Sequence, residues 1–191
     1  RDLFSFDFEP ALDGKIASTS GQIRLPGSLR SQAQAYIPGT GKYPIVIMIR
    51  GYVDREIYKT GIGTSHAAEV FARNGYITIA PDFLGYGNSS PESTSVFEAR
   101  FQTYTTILSL LKTVEAPSFA EATEGKWDGE NIFIWGHSNG GQIALAVLEI
   151  TGKSYPTSLW APVSPPFPYS ILYFTDELSD YGKYLRSELA K

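Results

Sequence analysis

Ser138 stands in Gly136-His137-Ser138-Asn139-Gly140, between a short apolar run, Asn131 to Trp135, and a helix-like run, Gln142 to Ile150. A strand, then G-x-S-x-G, then a helix is the sequence form of a nucleophile elbow, in which the serine sits on a sharp, strained turn that lifts its hydroxyl above a sheet edge. Gly136 and Gly140 have no Cβ, so strand and helix can close tightly around that turn. The chemistry such a turn serves is acyl transfer. That reaction needs a nucleophile, a base with an orienting acid, and donors for the developing oxyanion. Ser138 is the candidate nucleophile. The plainer reading of the same residue is a serine that caps the following helix.

The oxyanion donors follow from the same geometry. One is the backbone N–H of the residue after the nucleophile, Asn139. The second comes from the loop after the strand Pro44 to Ile49, which begins Arg50-Gly51-Tyr52-Val53. Gly51 lets the backbone turn into the pocket, and Tyr52 then offers its N–H or its phenol. Arg50 closes a buried strand, where a charge needs a partner. Asp54, Glu56 and Asp82 are the candidates for an ion pair, and a substrate carboxylate is the other option. Asp82 also opens Asp-x-x-Gly-x-Gly-x-Ser, residues 82–89, a turn fixed by aspartate and glycine and read as scaffold.

The base is not in the expected place. The chain holds two histidines, His66 and His137, and none after Ser138. Enzymes with this elbow run serine, then acid, then histidine along the chain. His66 precedes the serine and is not expected to act on it. His137 leaves the turn in another direction and reads as elbow packing. The late carboxylates Asp176, Glu177 and Asp180 read as surface residues.

The elements that must position these groups alternate. Pro44–Ile49, Tyr76–Ala80, Ile132–Trp135 and the shorter Ser158–Ala161 are continuous apolar runs, as strands covered on both faces are. Helical patterns span Ser65–Arg73, Phe97–Val114 and Gln142–Ile150. Strands alternating with helices imply βαβ units and a parallel sheet. Ahead of them, Gly21–Pro26 and Gln32–Pro38 alternate polar and apolar residues around the turn residues Pro26-Gly27-Ser28, which predicts an antiparallel hairpin at the sheet edge. After the proline-rich stretch Pro162 to Tyr169, the spacing of Leu178, Tyr181, Tyr184, Leu185 and Leu189 predicts an amphipathic helix from about Glu177 to Ala190. That tail, residues 163–191, reads either as a lid over the pocket or as core packing.

Composition narrows the class. At 191 residues, 42% hydrophobic and 19% charged, the chain reads as one globular domain. A net charge of −4 without a basic cluster gives no footprint for nucleic acid. The absence of cysteine removes disulfides, thiolate catalysis and cysteine-ligated zinc. No apolar run reaches membrane-spanning length.

Four stretches, Ile45–Tyr52, Phe71–Tyr76, Pro81–Ser89 and Trp135–Gly141, together resemble the α/β-hydrolase superfamily. Within it they are most similar to the prolyl-oligopeptidase-like serine peptidases and the dienelactone-hydrolase-like esterases, over roughly Ser31 to Pro162. The resemblance implies a doubly wound, mostly parallel sheet with an antiparallel start. It also implies hydrolysis of a peptide or carboxylic ester bond by a Ser-Asp-His triad, with no cofactor and no metal. Ser138 is then the nucleophile, Asn139 supplies one oxyanion N–H, and Tyr52 matches the position that completes the hole. Many relatives carry His-Gly where this chain has Arg50-Gly51. The family's acid and histidine follow its seventh and eighth strands, whereas this chain reads as ending after the sixth strand and a lid-like helix. The expectation is a serine hydrolase domain whose acid and histidine come from a C-terminal segment or a second chain. The alternative is a non-catalytic binding module on the same scaffold.

Overall fold

The computed structural model describes residues 2–11, 13–26, 41–116, 119, 123, 125–165, 169–172, 180 and 182–190. Its elements, in chain order, are β1 (Asp2–Phe8), β2 (Ala17–Arg24), β3 (Tyr43–Ile49), α1 (Ser65–Arg73), β4 (Ile77–Pro81), α2 (Val96–Val114), β5 (Trp127–His137), α3 (Asn139–Thr151), β6 (Thr157–Trp160), α4 (Tyr169–Leu172) and α5 (Lys183–Leu189). Six strands form one mixed sheet in the order β1-β2-β4-β3-β5-β6. β1 and β2 are antiparallel to each other, and β2 is antiparallel to β4. From β4 through β3 and β5 to β6 every pairing is parallel.

β3 shows why the central strands read as unbroken apolar runs. Ile45, Ile47 and Ile49 face a cluster completed by Ile107 and Leu110 of α2 and by Ile143 and Val147 of α3. Val46 and Met48, on the opposite face, join Ala68 of α1 and Trp135 of β5. Helices cover both faces, so neither set of side chains meets water. Burying each large aliphatic side chain is worth about 1.5–3 kcal/mol, and this two-sided core fixes the register of the strand that leads to Ser138.

Most element ends shift by one to three residues from the sequence reading, and three elements differ by more. The N-terminal hairpin exists, but the strand before β2 forms it: Phe4 pairs with Gly21 and Phe6 with Thr19. The expected partner strand, Gln32–Pro38, lies outside the described residues. β5 begins at Trp127, five residues before its apolar run, because a register shift opposite Tyr43/Ile45 absorbs the turn around Asp128. That turn is held by the Asp128 carboxylate, which accepts the backbone N–H groups of Glu130 and Asn131, both at 2.9 Å. The tail helix α5 starts at Lys183, and most of 177–181 lies outside the described residues. Among the described residues no helix is long and apolar enough to cross a membrane.

Candidate active site

β5 ends at His137 and α3 starts at Asn139, so a single residue, Ser138, makes the whole turn between them. Its φ is 52° and its ψ −119°, a region that a side chain bearing Cβ enters only under strain. The surroundings hold it there. The Ser138 N–H donates to the Trp160 carbonyl at 3.0 Å, and its own carbonyl accepts the N–H groups of Gly141 at 3.0 Å and Val163 at 2.9 Å. Gly140 makes the turn sterically feasible: a Cβ there would collide with the Ile49 carbonyl oxygen and lie 2.5 Å from that of Arg50.

The serine does not cap the helix. Its side chain makes no capping hydrogen bond, although the residue occupies the N-cap position. The plainer reading of Ser138 is thereby set aside, and the residue borders a cavity of about 540 Å³. Both residues named as oxyanion donors, Asn139 and Tyr52, line this cavity as well. As the first residue of α3, Asn139 carries a backbone N–H with no acceptor inside the helix, at the positive end of the helix dipole. The loop bearing Tyr52 passes close over the elbow. A Cβ on Gly51 would sit 3.0 Å from the Ser138 Cβ and 3.2 Å from His137 Nδ1. Tyr52 itself is 75% exposed.

Arg50 is 6% exposed, and its partners differ from those expected. It donates to the carbonyl oxygens of Gly51 and Asp82, both at 2.9 Å. Its guanidinium lies 4.1 Å from the Tyr86 ring centroid and 4.7 Å from that of Tyr58. Aromatic faces and main-chain dipoles therefore take the place of the expected ion pair with Asp54, Glu56 or Asp82. The Asp82 carboxylate is fully buried and is satisfied by hydroxyls: Ser20 at 2.6 Å, Tyr58 at 2.5 Å and Thr60 at 2.8 Å. Burial, and then the adjacent Asp82 charge, hold the Tyr58 hydroxyl well above its ordinary pKa of 10.0. Asp82 thus ties β2, β4 and the loop after β3 together, reaching well beyond the local turn that its motif suggested.

Neither histidine reaches the serine's cavity. His66 is exposed on α1. The His137 ring stacks on Trp160, with centroids 4.6 Å apart, and on Trp135 at 6.2 Å. The tail does contribute, since Val163, Ser170 of α4 and Leu185 of α5 all line the cavity.

Arg100 had no place in the sequence reading. It donates to Asn139 Oδ1 at 2.5 Å, to Tyr104 OH at 3.1 Å and to Gln142 Oε1. A signal was available. The buried stripe of α2 runs Tyr104, Ile107, Leu111, Val114, and stepping it back one turn lands on Arg100.

Comparison with known proteins fits this geometry. A model of the alpha/beta hydrolase fold family matches residues 44–157, and the chain belongs to that family. The match does not separate the prolyl-oligopeptidase-like or dienelactone-hydrolase-like types from the rest. No curated protein matches the chain. Among solved structures, the chain is similar to the ferulic-acid-bound Est1E of Butyrivibrio proteoclasticus, at 19% identity and a TM-score of 0.50, covering 74% of this chain and 47% of that one. It is also similar to a thioesterase domain from the curacin biosynthetic pathway, at 18% identity and 0.55, covering 98% and 55%. A third is the rice cell wall degrading esterase LipA of Xanthomonas oryzae, at 17% and 0.53, covering 81% and 39%. At these identities the likeness is one of fold. The chain spans about half the length of the structures it matches.

Proposed function

We propose that the chain is the nucleophile-bearing part of a serine hydrolase that cleaves carboxylic esters through an acyl-enzyme on Ser138. The observation that carries this reading is a serine on a strained turn whose side chain caps no helix and which borders a cavity with Asn139 and Tyr52. In the first half-reaction the Ser138 oxygen bonds to the acyl carbon, a base takes its proton, and the alcohol leaves with a proton returned by that base. Water then releases the acid by the same route. The backbone N–H of Asn139 and that of Tyr52 hold the oxyanion; the phenol of Tyr52 is too exposed to be the donor. The acid and histidine come from outside these 191 residues, because His66 and His137 are both turned to other surroundings. Val163, Ser170 and Leu185 of the tail cover one side of the acyl pocket in this reading, as a lid would.

Esters are favoured over peptides by neighbours named as an esterase and a thioesterase and by the apolar side chains Phe83, Leu84, Val96, Ile143 and Leu185 in the cavity wall. The test compares p-nitrophenyl butyrate with a peptide p-nitroanilide, using the 191-residue chain and the complete protein that supplies the acid and histidine. Losing the base costs roughly 10⁴–10⁶ in rate, so the isolated chain should be nearly inactive and the complete protein active on the ester. Hydrolysis of the anilide alone would make the protein a peptidase. Inactivity of the complete protein on both substrates would leave the scaffold as a binding module.

A further inference from the structure

The walls of the cavity carry an unbalanced charge. Among the described residues three arginines line it, Arg50, Arg55 and Arg100, against a single carboxylate, Glu92. This happens in a chain whose net charge is −4, so the cationic wall is a local arrangement. Each guanidinium can be followed to its surroundings. Arg55 is ion-paired with Glu92. Arg50 is almost fully buried, enclosed by the rings of Tyr58 and Tyr86 and donating to the carbonyl oxygens of Gly51 and Asp82. Arg100 differs from Arg55 in having no carboxylate against it among the described residues, and from Arg50 in being only half-buried. Its partners among the described residues are the amide oxygens of Asn139 and Gln142 and the Tyr104 hydroxyl, all neutral.

A half-buried guanidinium with neutral partners keeps a full positive charge directed at whatever fills the cavity, and the low dielectric of an apolar pocket strengthens that attraction. Apolar side chains, Phe83, Leu84, Val96, Ile143 and Leu185 among them, make up another part of the wall. From these observations we infer that the pocket takes an ester whose apolar body carries a carboxylate, and that Arg100 binds that carboxylate. Among the described residues Arg100 is the half-buried wall cation with neutral partners, and a single such group suits a monoanion. The planar fork of arginine matches a carboxylate in two-point contact. A dianionic phosphate would exceed the available charge and lose more hydration among these aliphatic walls. Arg100 also touches the Asn139 side chain, next to the proposed oxyanion donor, so anion binding and the elbow meet at one residue.

This inference rests on the acyl-transfer reading for its substrate, and the experiment separates the two. In the complete protein, kcat/KM is measured for p-nitrophenyl hydrogen suberate and for its methyl-capped, neutral counterpart. The free carboxylate is expected to raise kcat/KM about 10- to 100-fold, the range of a charge-assisted hydrogen bond. Arg100→Met is expected to bring that ratio close to one, whatever loss both substrates share, and Arg100→Lys to restore part of it. Separately, monomethyl suberate and dimethyl suberate are titrated calorimetrically into Ser138→Ala protein, where only the monoacid should bind measurably and Arg100→Met should abolish that binding. A wild-type ratio near one, or equal loss on both esters in Arg100→Met, would overturn the inference and leave Arg100 as a positioning residue for Asn139. If neither ester is hydrolysed, the acyl-transfer reading fails, and the calorimetric arm alone decides the carboxylate site.

Discussion

Replacing Ser138 with glycine should make the protein more stable than replacing it with alanine, although both changes remove the nucleophile. Ser138 has φ 52° and ψ −119°, and its side chain makes no capping hydrogen bond. Deleting the hydroxyl therefore costs no bond, and Ser138→Ala keeps the full backbone strain. Glycine removes that strain, which is worth about 1–2 kcal/mol for a residue with a Cβ at positive φ. It also frees the unfolded chain, which returns about 0.4–1 kcal/mol. The difference leaves the glycine variant ahead of the alanine variant by about 0.5–1 kcal/mol, or roughly 2 °C in Tm for a chain of this size. Thermal unfolding followed by circular dichroism, with urea titration as a second measure, gives the comparison directly. A glycine variant that melts below the alanine variant would refute the reasoning, because the turn would then hold no strain for the fold to retain.

Other changes test the parts around the elbow. Gly140→Ala places a methyl group against the carbonyl oxygens of Ile49 and Arg50, so it should destabilise the fold by about 3 kcal/mol or more, seen as a lowered urea midpoint. Asp82→Asn removes the charge that accepts hydroxyls from Ser20, Tyr58 and Thr60, and should cost about 2–4 kcal/mol in the same titration. Tyr58 has its pKa raised in the folded state, so the unfolded chain ionises first as pH rises past the ordinary 10.0 and stability falls above that point. Tyr58→Phe should reduce that alkaline slope while lowering stability at neutral pH, as read from unfolding curves between pH 8 and pH 11.

The parts of the fold legible in the sequence were those set by a single strong pattern. Ser65–Arg73 is the same helix in the reading and in the structure, because its apolar spacing and the Asn74-Gly75 stop coincide. β3 and β4 were legible because strands buried on both faces carry apolar residues at nearly every position, with Thr78 the one polar side chain inside the two. The edge was not. β1 carries Phe4, Phe6 and Phe8 on one face, yet its pairing with β2 depends on register across the chain, which local alternation does not encode. The elbow was legible because only glycine fits at Gly140, and that constraint shows in the residue type. Most partners of Arg50 and Arg100 were not, because they come from other elements. Arg50 meets rings from two later segments, and Arg100 reaches across from α2 to the start of α3. Charge in a sequence suggests a partner of opposite charge, while tertiary packing here supplied aromatic faces and amide oxygens instead.

Labelling with a fluorophosphonate probe, mapped by mass spectrometry, tests the central claim most directly. In the complete protein the account predicts a single modified residue, Ser138, with labelling retained in His66→Ala and in His137→Phe, which keeps the stack between Trp135 and Trp160. A probe that leaves Ser138 unmodified, or labelling that disappears with His66, would contradict it.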